Sequence, residues 1–438
     1  MQGGGADSNI RVDTPIWAEN GTAYPETLDA LPARAKYVVI GAGYAGLSAG
    51  RILARAGHDV VIVDGCAALG EGASGRNNGV YSGGFGLYRG LFGDRFKTRN
   101  GMPACTRHDL IEDANRSVTS LTAMIAEEGI DCPSRAAGRL VGAATDAQLA
   151  SLRMQCEVWQ QHYGDAISLV GADVIEAESG STCYQGGLLV NPSWLLEPIR
   201  LLQGLACAVV RHGARIVTGC QIRAIEPRGD SFACIADGAE IIADRVIVAT
   251  NGLGAQLVPA APSWTRPIIS CSFATDKLAP EVAATILPRG RTGSDVQPSF
   301  SYFRKTAQGD RLVFGGRMPW PDCVAADWPQ VLEARMRAIF PQLADSRIAM
   351  AWNSIITETE DQLPHAGELN GVFYCVGCNG SGLAMMVHLG EQTARAAMGI
   401  APEKPGFWSL ATPEATPAAA GVAADAKSLM AALRQRKA

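Results

Sequence analysis

Three glycines and one acid near the start of the chain have the spacing of a nucleotide-binding site. Gly41, Gly43 and Gly46 form a Gly-x-Gly-x-x-Gly pattern directly after an apolar run, and a second apolar run ends at Asp64. In such a βαβ unit the glycines let the backbone approach a pyrophosphate at a helix N-terminus, where free N–H groups and the helix dipole favour an anion. Asp64 stands where a carboxylate accepts the hydroxyls of an adenosine ribose. The pattern predicts dinucleotide binding.

The loop that follows Asp64 indicates which dinucleotide is bound. Residues 70–79 read Gly-Glu-Gly-Ala-Ser-Gly-Arg-Asn-Asn-Gly. A nicotinamide dehydrogenase needs no second Gly-rich loop here, whereas an extended FAD needs further donors for the half that carries its ring. No complete second Gly-x-Gly-x-x-Gly unit follows a strand elsewhere in the sequence. An NAD(P)H site is therefore not evident, and the substrate itself is expected to reduce the flavin.

With these motifs the chain resembles the D-amino-acid-oxidase-like FAD-dependent oxidoreductases, closest to the branch of gamma-glutamylputrescine oxidases and related amine oxidases. In that branch a Gly-Ala-Ser-Gly-Arg-Asn-Gly-Gly loop is typical, and this chain departs from it at Asn78. Further matching segments follow in the family's order at residues 245–252, 301–317, 352–364 and 377–382. The resemblance implies an α/β fold: a Rossmann-like FAD-binding domain of the glutathione-reductase type, with a second α+β substrate domain built on an antiparallel sheet.

The positions of the flavin segments predict a discontinuous FAD-binding domain of residues 36–100, 192–257 and 350–400. The other parts are a substrate-binding domain of residues 101–191 and 258–349, an N-terminal arm of residues 1–35 and a C-terminal tail of residues 401–438. Local signals add strands at 139–143 and 372–376, a helix after Asp327, and a helix end with a glycine stop at 211–213. An amphipathic segment at 429–433 is expected to form a docked or oligomer-contacting helix.

FAD is expected to bind noncovalently. The residues expected to contact it come from the Gly-rich turn, the acid, the second loop and the later flavin segments. They are Gly41, Ala42, Gly43, Tyr44, Ala45, Gly46, Asp64, Gly65, Gly72, Ala73, Ser74, Arg76, Asn77, Asn78, Gly79, Ile222, Thr250, Asn251, Gly252, Gly380, Ser381, Gly382 and Leu383.

The reaction expected of such a protein is oxidation of a C–N bond. A C–H bond next to nitrogen delivers hydride to the flavin only when the nitrogen lone pair is free, and an alkylammonium with a pKa near ~10 is mostly protonated at neutral pH. An apolar pocket lowers that pKa by desolvating the charge. The imine product is hydrolysed in water. Oxygen is the expected electron acceptor and gives hydrogen peroxide. A dehydrogenase of amines or N-methylated amines, and a non-catalytic flavin-binding partner protein, are the alternatives.

Four side chains are candidates for the chemistry around the flavin. Tyr302 is expected to form a pocket wall, and Arg317 either to place positive charge near the flavin or to form an inter-domain salt bridge. Glu358 either attracts the cationic end of a polyamine-like substrate or is a solvated acid at a strand end. His365 either hydrogen-bonds the ring edge or has a structural role. Arg304 shares a strand face with Tyr302.

Departures from the family's patterns bear on the substrate. Where D-amino-acid and glycine oxidases place an arginine that holds the substrate carboxylate, this chain has Ile356, and where sarcosine oxidases place a lysine it has Ala384. The substrate is therefore expected to be an amine without a simple α-carboxylate. The lysine with which sarcosine oxidases activate oxygen corresponds to Val313, which keeps a different electron acceptor open.

Composition excludes several other classes. The chain has 438 residues, a net charge of −5 and no long cationic run, which argues against nucleic acid and acidic membranes as partners. The histidines show no metal-ligand spacing, so no metal is expected. No apolar stretch has the roughly 18–20 uninterrupted residues of a membrane span, and the N-terminus lacks the features of a signal peptide. A cytoplasmic protein with reduced cysteines is expected, including Cys375 and Cys378, with its oligomeric state left open.

We predict that the FAD is noncovalent, because Ser354 stands where sarcosine oxidases attach flavin through cysteine and the first Gly-rich loop has no histidine. Acid precipitation of the purified protein should leave the yellow colour in the supernatant. A fluorescent protein band on a denaturing gel would contradict the prediction.

Overall fold

The structure is a computed structural model that describes residues 10–91, 96–258, 261, 264–296, 300–317, 327–400, 402 and 404–413. The strands are β1 (Arg11–Val12), β2 (Arg34–Ile40), β3 (Val60–Val63), β4 (Val80–Tyr81), β5 (Arg135–Ala136), β6 (Arg139–Ala143), β7 (Ile167–Gly171), β8 (Gly186–Val190), β9 (Trp194–Leu195), β10 (Arg215–Val217), β11 (Ile222–Arg228), β12 (Ser231–Ala236), β13 (Ala239–Val248), β14 (Thr265–Thr275), β15 (Thr292–Asp295), β16 (Ser301–Lys305), β17 (Leu312–Arg317), β18 (Ile348–Thr359), β19 (His365–Leu369) and β20 (Val372–Val376). The α-helices are α1 (Tyr44–Arg55), α2 (Ala73–Arg76), α3 (Tyr88–Leu91), α4 (Arg107–Glu128), α5 (Asp146–Tyr163), α6 (Ala172–Ser179), α7 (Pro198–Arg211), α8 (Pro280–Thr285), α9 (Trp328–Ile339) and α10 (Gly382–Ala397).

The chain divides into two compact units, each made of separate stretches. Unit 1 takes its described residues from Met1–Glu19, Arg135–Leu195 and Ile269–Ser354. Unit 2 takes its described residues from Asn20–Ser134, Leu196–Ile268 and Ile355–Ala438.

Unit 2 is built on a sheet whose centre is parallel. The order β10-β3-β2-β13 is parallel throughout, and the second half of β13 pairs in parallel with β20. The first half of β13 instead pairs with β12, which continues into β11, and both of these pairs are antiparallel. The central strands are apolar on both faces because both faces are buried: Val60 to Val63 are completely inaccessible to solvent. This is the predicted Rossmann-like arrangement.

Small residues determine how α1 meets this sheet. A side chain at position 46 would collide with the carbonyl oxygen of Gly41, and one at position 50 would come 2.5 Å from the Cδ1 atom of Ile62. Both positions therefore need glycine for close packing of helix on strand.

Unit 1 is built on a nine-stranded sheet in the order β1-β18-β14-β17-β16-β15-β6-β8-β7. Most of its described pairs are antiparallel, as predicted, whereas β6 pairs with β15, and β1 with β18, in parallel. On one face, Phe303 stacks on Phe314 with ring centroids 6.0 Å apart and meets Phe340 edge-on at 5.0 Å. Helices α5, α6, α8 and α9 also belong to this unit. The predicted fold class is thus confirmed in both units.

Several local predictions are confirmed. The strands at 139–143 and 372–376 are β6 and β20, and the helix after Asp327 is α9. Helix α7 ends at Arg211, and Gly213 has a φ of 93°, which suits the glycine stop before β10. The segment 429–433 lies outside the described residues.

The predicted boundary at residue 101 differs from the structure. Helix α4 belongs to unit 2, because it packs on α10: Nε2 of His388 lies 2.8 Å from Oδ1 of the fully buried Asp113. Residues 20–35, predicted as part of a separate arm, also belong to unit 2, where the N–H of Leu28 donates to Ile216 O at 2.7 Å. Composition does not reveal either arrangement, since both depend on contacts distant in sequence.

Three further properties concern the described residues alone. None of their helices is long and apolar enough to cross a membrane. Each described cysteine is a free thiol, including the pair Cys375 and Cys378, and burial raises the pKa of Cys375 to about 12. No group of three metal-ligating side chains is found in the described parts.

Asp295, at the end of β15, makes the stability of unit 1 dependent on pH. Burial raises its pKa to about 6, although its Oδ1 atom accepts a 2.6 Å hydrogen bond from the Ser301 N–H. A carboxyl whose pKa is raised in the folded state stabilises the fold at low pH, and that contribution is lost as the pH rises through about 6.

We therefore predict that the free energy of unfolding of the wild type falls by about 1–2 kcal/mol between pH 4 and pH 7.5 because Asp295 ionises. Asp295→Asn keeps the oxygen acceptor but cannot ionise, so it should not show this decrease. Thermal or urea unfolding of variant and wild type across this range measures the difference. The exposed Asp345→Asn is the matched control and should follow the wild type. An Asp295→Asn profile parallel to that of the wild type would contradict the prediction.

Candidate functional site

The predicted flavin segments of unit 2 meet at one edge of its sheet. Strands β3, β2, β13 and β20 are adjacent and parallel, and they end at Val63, Ile40, Val248 and Val376. The acid, the Gly-rich turn, residues 249–252 and residues 377–382 follow directly after these four ends. Ligands of open α/β sheets bind outside the carboxyl ends of the strands, so this edge is the candidate cofactor site.

The Gly-rich turn leaves the N-terminus of α1 open. Gly41 has a φ of 107°, and a side chain there would approach the Ala249 carbonyl oxygen to 2.7 Å. Gly43 is the N-cap residue of α1 and supplies no side-chain cap. Of the first N–H groups, that of Tyr44 donates to Oγ of Ser74 at 3.1 Å. A helix N-terminus of this kind, approached by glycine backbone, suits a pyrophosphate.

Asp64 is tied to this turn before any ligand is considered. Its Oδ2 atom accepts the Ala42 N–H at 2.6 Å, and its Oδ1 atom accepts the Cys66 N–H at 2.8 Å. Each carboxylate oxygen can accept a second hydrogen bond. Asp64 therefore both holds the turn in place and keeps acceptor capacity for a ribose hydroxyl. Gly65 follows it and packs against Gln221.

The second Gly-rich loop is folded by its own side chains. Asn77 accepts the Gly79 N–H through Oδ1 at 2.8 Å and donates through Nδ2 to the Ser74 carbonyl oxygen at 2.9 Å. Its amide is therefore used mainly to shape the loop. The other predicted members of this loop are Gly72, the N-cap residue of the single-turn helix α2, Ala73, Arg76, which is buried, and Asn78.

Asn251 joins the loops after β13 and β20. It has a left-handed φ of 53°, and its Oδ1 atom accepts the N–H groups of Gly377 at 3.2 Å and Cys378 at 3.3 Å. Gly252 follows with no room for a side chain, because one would collide with the Thr357 hydroxyl. A non-glycine residue in this conformation costs energy, and such residues concentrate at functional sites.

Asn379 makes the same kind of connection to β18. Its φ is 49°, its N–H donates to the Thr357 carbonyl oxygen, and its Oδ1 atom accepts the Thr359 N–H, both at 2.9 Å.

Ser381 is the N-cap residue of α10 and donates to the Gly86 carbonyl oxygen. The remaining predicted residues near these loops are the half-buried Thr250, Gly380 before α10, Gly382 and Leu383 at its start, and Ala45 in α1. Ile222, by contrast, begins β11 and is buried in the apolar core.

These residues fit an extended dinucleotide. One edge of the sheet carries the N-terminus of α1, which has no side-chain cap, and Asp64, which has spare acceptor capacity. The same edge carries Asn251 and Asn379, which are held in left-handed conformations. The contact of each residue with FAD stays a prediction.

Glu358 differs from one of the two interpretations of its sequence position, and its contact with a substrate cation stays a prediction. It is only 1% exposed, so the interpretation as a solvated acid is wrong. Its Oε2 atom accepts a 2.6 Å hydrogen bond from Nη2 of Arg266, whose side chain is 55% exposed. The charge that reaches solvent at this position is therefore the positive charge of Arg266. No sequence signal indicates this pair, because Arg266 lies in no motif.

His365 has a structural partner. Its Nε2 atom lies 2.9 Å from Oδ2 of Asp361, and its ring meets Trp264 edge-on at 5.5 Å. Burial raises the pKa of Asp361, but the His365 charge and its hydrogen bonds outweigh this and lower the pKa below its ordinary value. Both side chains are buried, which favours the structural role for His365.

Tyr302 and Arg317 lie on neighbouring strands of unit 1. The Tyr302 hydroxyl lies 2.5 Å from Oγ of Ser270 and 3.1 Å from Oγ of Ser272, and burial raises its pKa above 10.0. It therefore stays protonated at neutral pH. The Arg317 guanidinium lies over the Phe300 ring, 5.3 Å from its centroid.

The positions of the absent carboxylate clamps are apolar in the structure as well. Ile356 is half-buried in β18, and Ala384 is buried in α10. Val313, at the position of the oxygen-activating lysine, is completely buried. Arg304 is buried as well, with its guanidinium 4.9 Å from the centroid of the Trp17 ring.

Comparison with known proteins decides the family. The model of a family described as FAD dependent oxidoreductase, DAO, matches residues 36–396. The chain belongs to this family. The protein is accordingly a FAD-dependent oxidoreductase, and the cofactor predicted from its Gly-rich loops is confirmed.

Relatives of this oxidoreductase support the predicted branch. The chain is 31% identical to a probable oxidoreductase OrdL of Rhizobium meliloti (strain 1021), over 84% of each chain. It is 28% identical to gamma-glutamylputrescine oxidoreductase of Escherichia coli (strain K12), over 85% of each. Glycine oxidase from Geobacillus kaustophilus has a similar fold, with a TM-score of 0.70, 19% identity, and coverage of 85% of this chain and 97% of that one.

We predict that Asp64→Ala weakens FAD binding, because it removes the acceptor that holds the Gly-rich turn together with a ribose acceptor. Hydrogen bonds to a charged group contribute about 1.5–3 kcal/mol, which corresponds to roughly a 10- to 100-fold rise in Kd. Fluorescence titration of the apoprotein with FAD measures this.

Asp59→Ala is the matched control, since Asp59 lies just before the same strand and pairs with Arg215 on the surface. Full flavin content in dialysed Asp64→Ala would show that the acid does not serve the cofactor.

Proposed function

We propose that this flavoprotein oxidises the C–N bond of an amine to an imine, which water then hydrolyses. FAD accepts the hydride in such a reaction. The observation that carries the proposal is the apolar character of the two clamp positions, Ile356 and Ala384, in a chain of this family. An amine without an α-carboxylate has no buried charge to leave unpaired at these positions.

The available acid–base groups support a simple mechanism. Tyr302 stays protonated, so it can donate a hydrogen bond but cannot serve as a base at neutral pH. Asp361 is ionised, but His365, Thr359 and the Leu363 N–H already bind its carboxylate. The substrate amine must then lose its proton through desolvation, with the protein supplying orientation and electrostatics.

A second substrate class follows from the Arg266–Glu358 pair. Glu358 orients the half-exposed guanidinium of Arg266, which could hold an anionic group of the substrate at a distance from the reacting carbon. An amine that carries such a group is the second candidate.

Oxygen is the proposed acceptor, with hydrogen peroxide as its product. The alternative is a dehydrogenase, favoured by the buried Val313 at the position of the oxygen-activating lysine. Rapid dye reduction with slow peroxide formation would decide for the dehydrogenase.

Anaerobic mixing with amines tests the proposal through the loss of the yellow flavin band. We predict that putrescine-like, N-alkyl or benzylic amines exceed D-alanine, glycine and sarcosine by at least ~100-fold in kcat/KM, because an unpaired buried carboxylate costs several kcal/mol. The double variant Arg266→Ala/Glu358→Gln, which removes the guanidinium without leaving a buried unpaired carboxylate, should leave simple amines unaffected and weaken only substrates with a remote anionic group.

An ordinary α-amino acid as the best substrate would contradict this prediction, and Arg304 and Arg317 would then be the first residues to replace. Flavin that no amine bleaches would favour the non-catalytic alternative.

A further inference from the structure

A hydroxyl, an imidazole and a carboxylate form a hydrogen-bonded chain between two helices of unit 2. Oγ of Ser120 lies 3.0 Å from Nδ1 of His388, and Nε2 of His388 lies 2.8 Å from Oδ1 of Asp113. Ser120 and Asp113 are seven residues apart on α4, and His388 is on α10. None of the three belongs to the predicted FAD-binding set.

The surroundings of Asp113 determine which imidazole nitrogen carries the proton. The carboxylate is completely buried and accepts the Phe407 N–H at 2.9 Å and Nη2 of Arg116 at 3.0 Å. Burial raises its pKa, but these bonds together with His388 outweigh that and lower it, so Asp113 is ionised. The Gln392 amide also contacts both groups, with its nitrogen 2.7 Å from Nε2 of His388 and 3.3 Å from Oδ1 of Asp113, while its oxygen has no partner among the described residues. The ionised carboxylate favours the N–H at Nε2 of His388, and this tautomer requires the Gln392 amide to turn its oxygen toward that N–H. The lone pair of Nδ1 is then left for the Ser120 hydroxyl.

Ser120 also lines a cavity of about 530 Å³ in the same unit. Met124, Met398 and Ile400 supply apolar walls, and Arg395 supplies a positive charge. Arg395 makes no ion pair within the described chain, whereas the other arginines of the wall, Arg51 and Arg55, are paired with glutamates. Glu391 and Glu127, the partners of Arg51 and Arg55, line the same cavity, so Arg395 is the charge left without a counter-ion in the described chain. The cavity therefore suits a short apolar acyl group with at most one negative charge.

We propose that Ser120 is a nucleophile for acyl transfer, with His388 as its general base and small esters as the substrate class. Oγ of Ser120 bonds to the ester carbonyl carbon, and its proton moves to Nδ1 of His388. The C–O bond to the alcohol then breaks, and the alcohol oxygen takes that proton. Water hydrolyses the acyl-serine in the reverse sense, so the step needs no oxidant or reductant. Asp113 is a positioning residue that acts through His388.

The location of the serine limits the rate. Ser120 lies inside α4, where backbone N–H groups are bonded to carbonyl oxygens of the helix, so the backbone around it offers no free donor to the developing oxyanion. Slow turnover is the consequence, and a covalent adduct is the appropriate readout.

The test is reaction of the FAD-loaded full chain with a small alkyl fluorophosphonate, in which Oγ displaces fluoride from phosphorus. Intact mass and peptide mapping should place one adduct on Ser120. Ser120→Ala should abolish it, and His388→Gln should slow its formation by roughly 100-fold, the usual size of general-base assistance. Flavin content and flavin reduction by amines should be unchanged in Ser120→Ala.

Thr122→Ala is the matched control, since the Thr122 hydroxyl donates to the carbonyl oxygen of Val118 in its own helix. It should label at the wild-type rate. Absence of an adduct, an adduct elsewhere, or an undiminished rate in a His388→Gln protein that retains FAD would overturn the proposal.

Discussion

The pairing of β13 with its parallel neighbours is the constraint on which the cofactor site depends. Its second half lies between β2 and β20 in register, Val248 with Ile40 and with Tyr374. The Gly-rich turn, residues 249–252 and residues 377–382 therefore emerge at one edge. Side chains then connect these loops: Asp64 holds the turn, and Asn251 holds the loop after β20. The site is thus assembled from hydrogen bonds that exist without the cofactor.

Charge at the candidate site is arranged by burial. Glu358 is inaccessible, and a buried carboxylate is strongly unfavourable unless it is paired and hydrogen-bonded. Arg266 supplies that pairing and still reaches solvent. One interpretation of the sequence treats Glu358 as an attractor of cations. In the structure, the charged group that is exposed at this position is the guanidinium of Arg266. The same principle applies to Asp361, whose partner is His365 rather than a ligand.

Helix α10 connects two chemically different regions of unit 2. It begins at Gly382, directly after the loop held by Asn251, and continues to the contact of His388 with Asp113 on α4. Asp113 also holds the chain at Phe407. One buried carboxylate thus joins α4, α10 and the segment near residue 407, which explains why α4 belongs to unit 2.

The family, the cofactor and the fold class could all be predicted from the amino-acid sequence. Gly41, Gly43, Gly46 and Asp64 are local signals whose meaning depends on backbone freedom and strand order over a short stretch of chain. Helix and strand positions such as 372–376 followed from local pattern for the same reason.

The side-chain contacts between distant segments, by contrast, emerge from the folded chain alone. Arg266 reaches Glu358 across 92 positions of sequence, and His388 reaches Asp113 across 275. Neither pair has a spacing that a pattern could recognise, because each depends on how strands and helices pack after the chain has returned to the same unit. The hydrogen bonds of Asp113 outweigh its burial and keep it ionised, and the burial of Glu358 leaves Arg266 as the accessible charge. Burial and these contacts are properties of the folded chain.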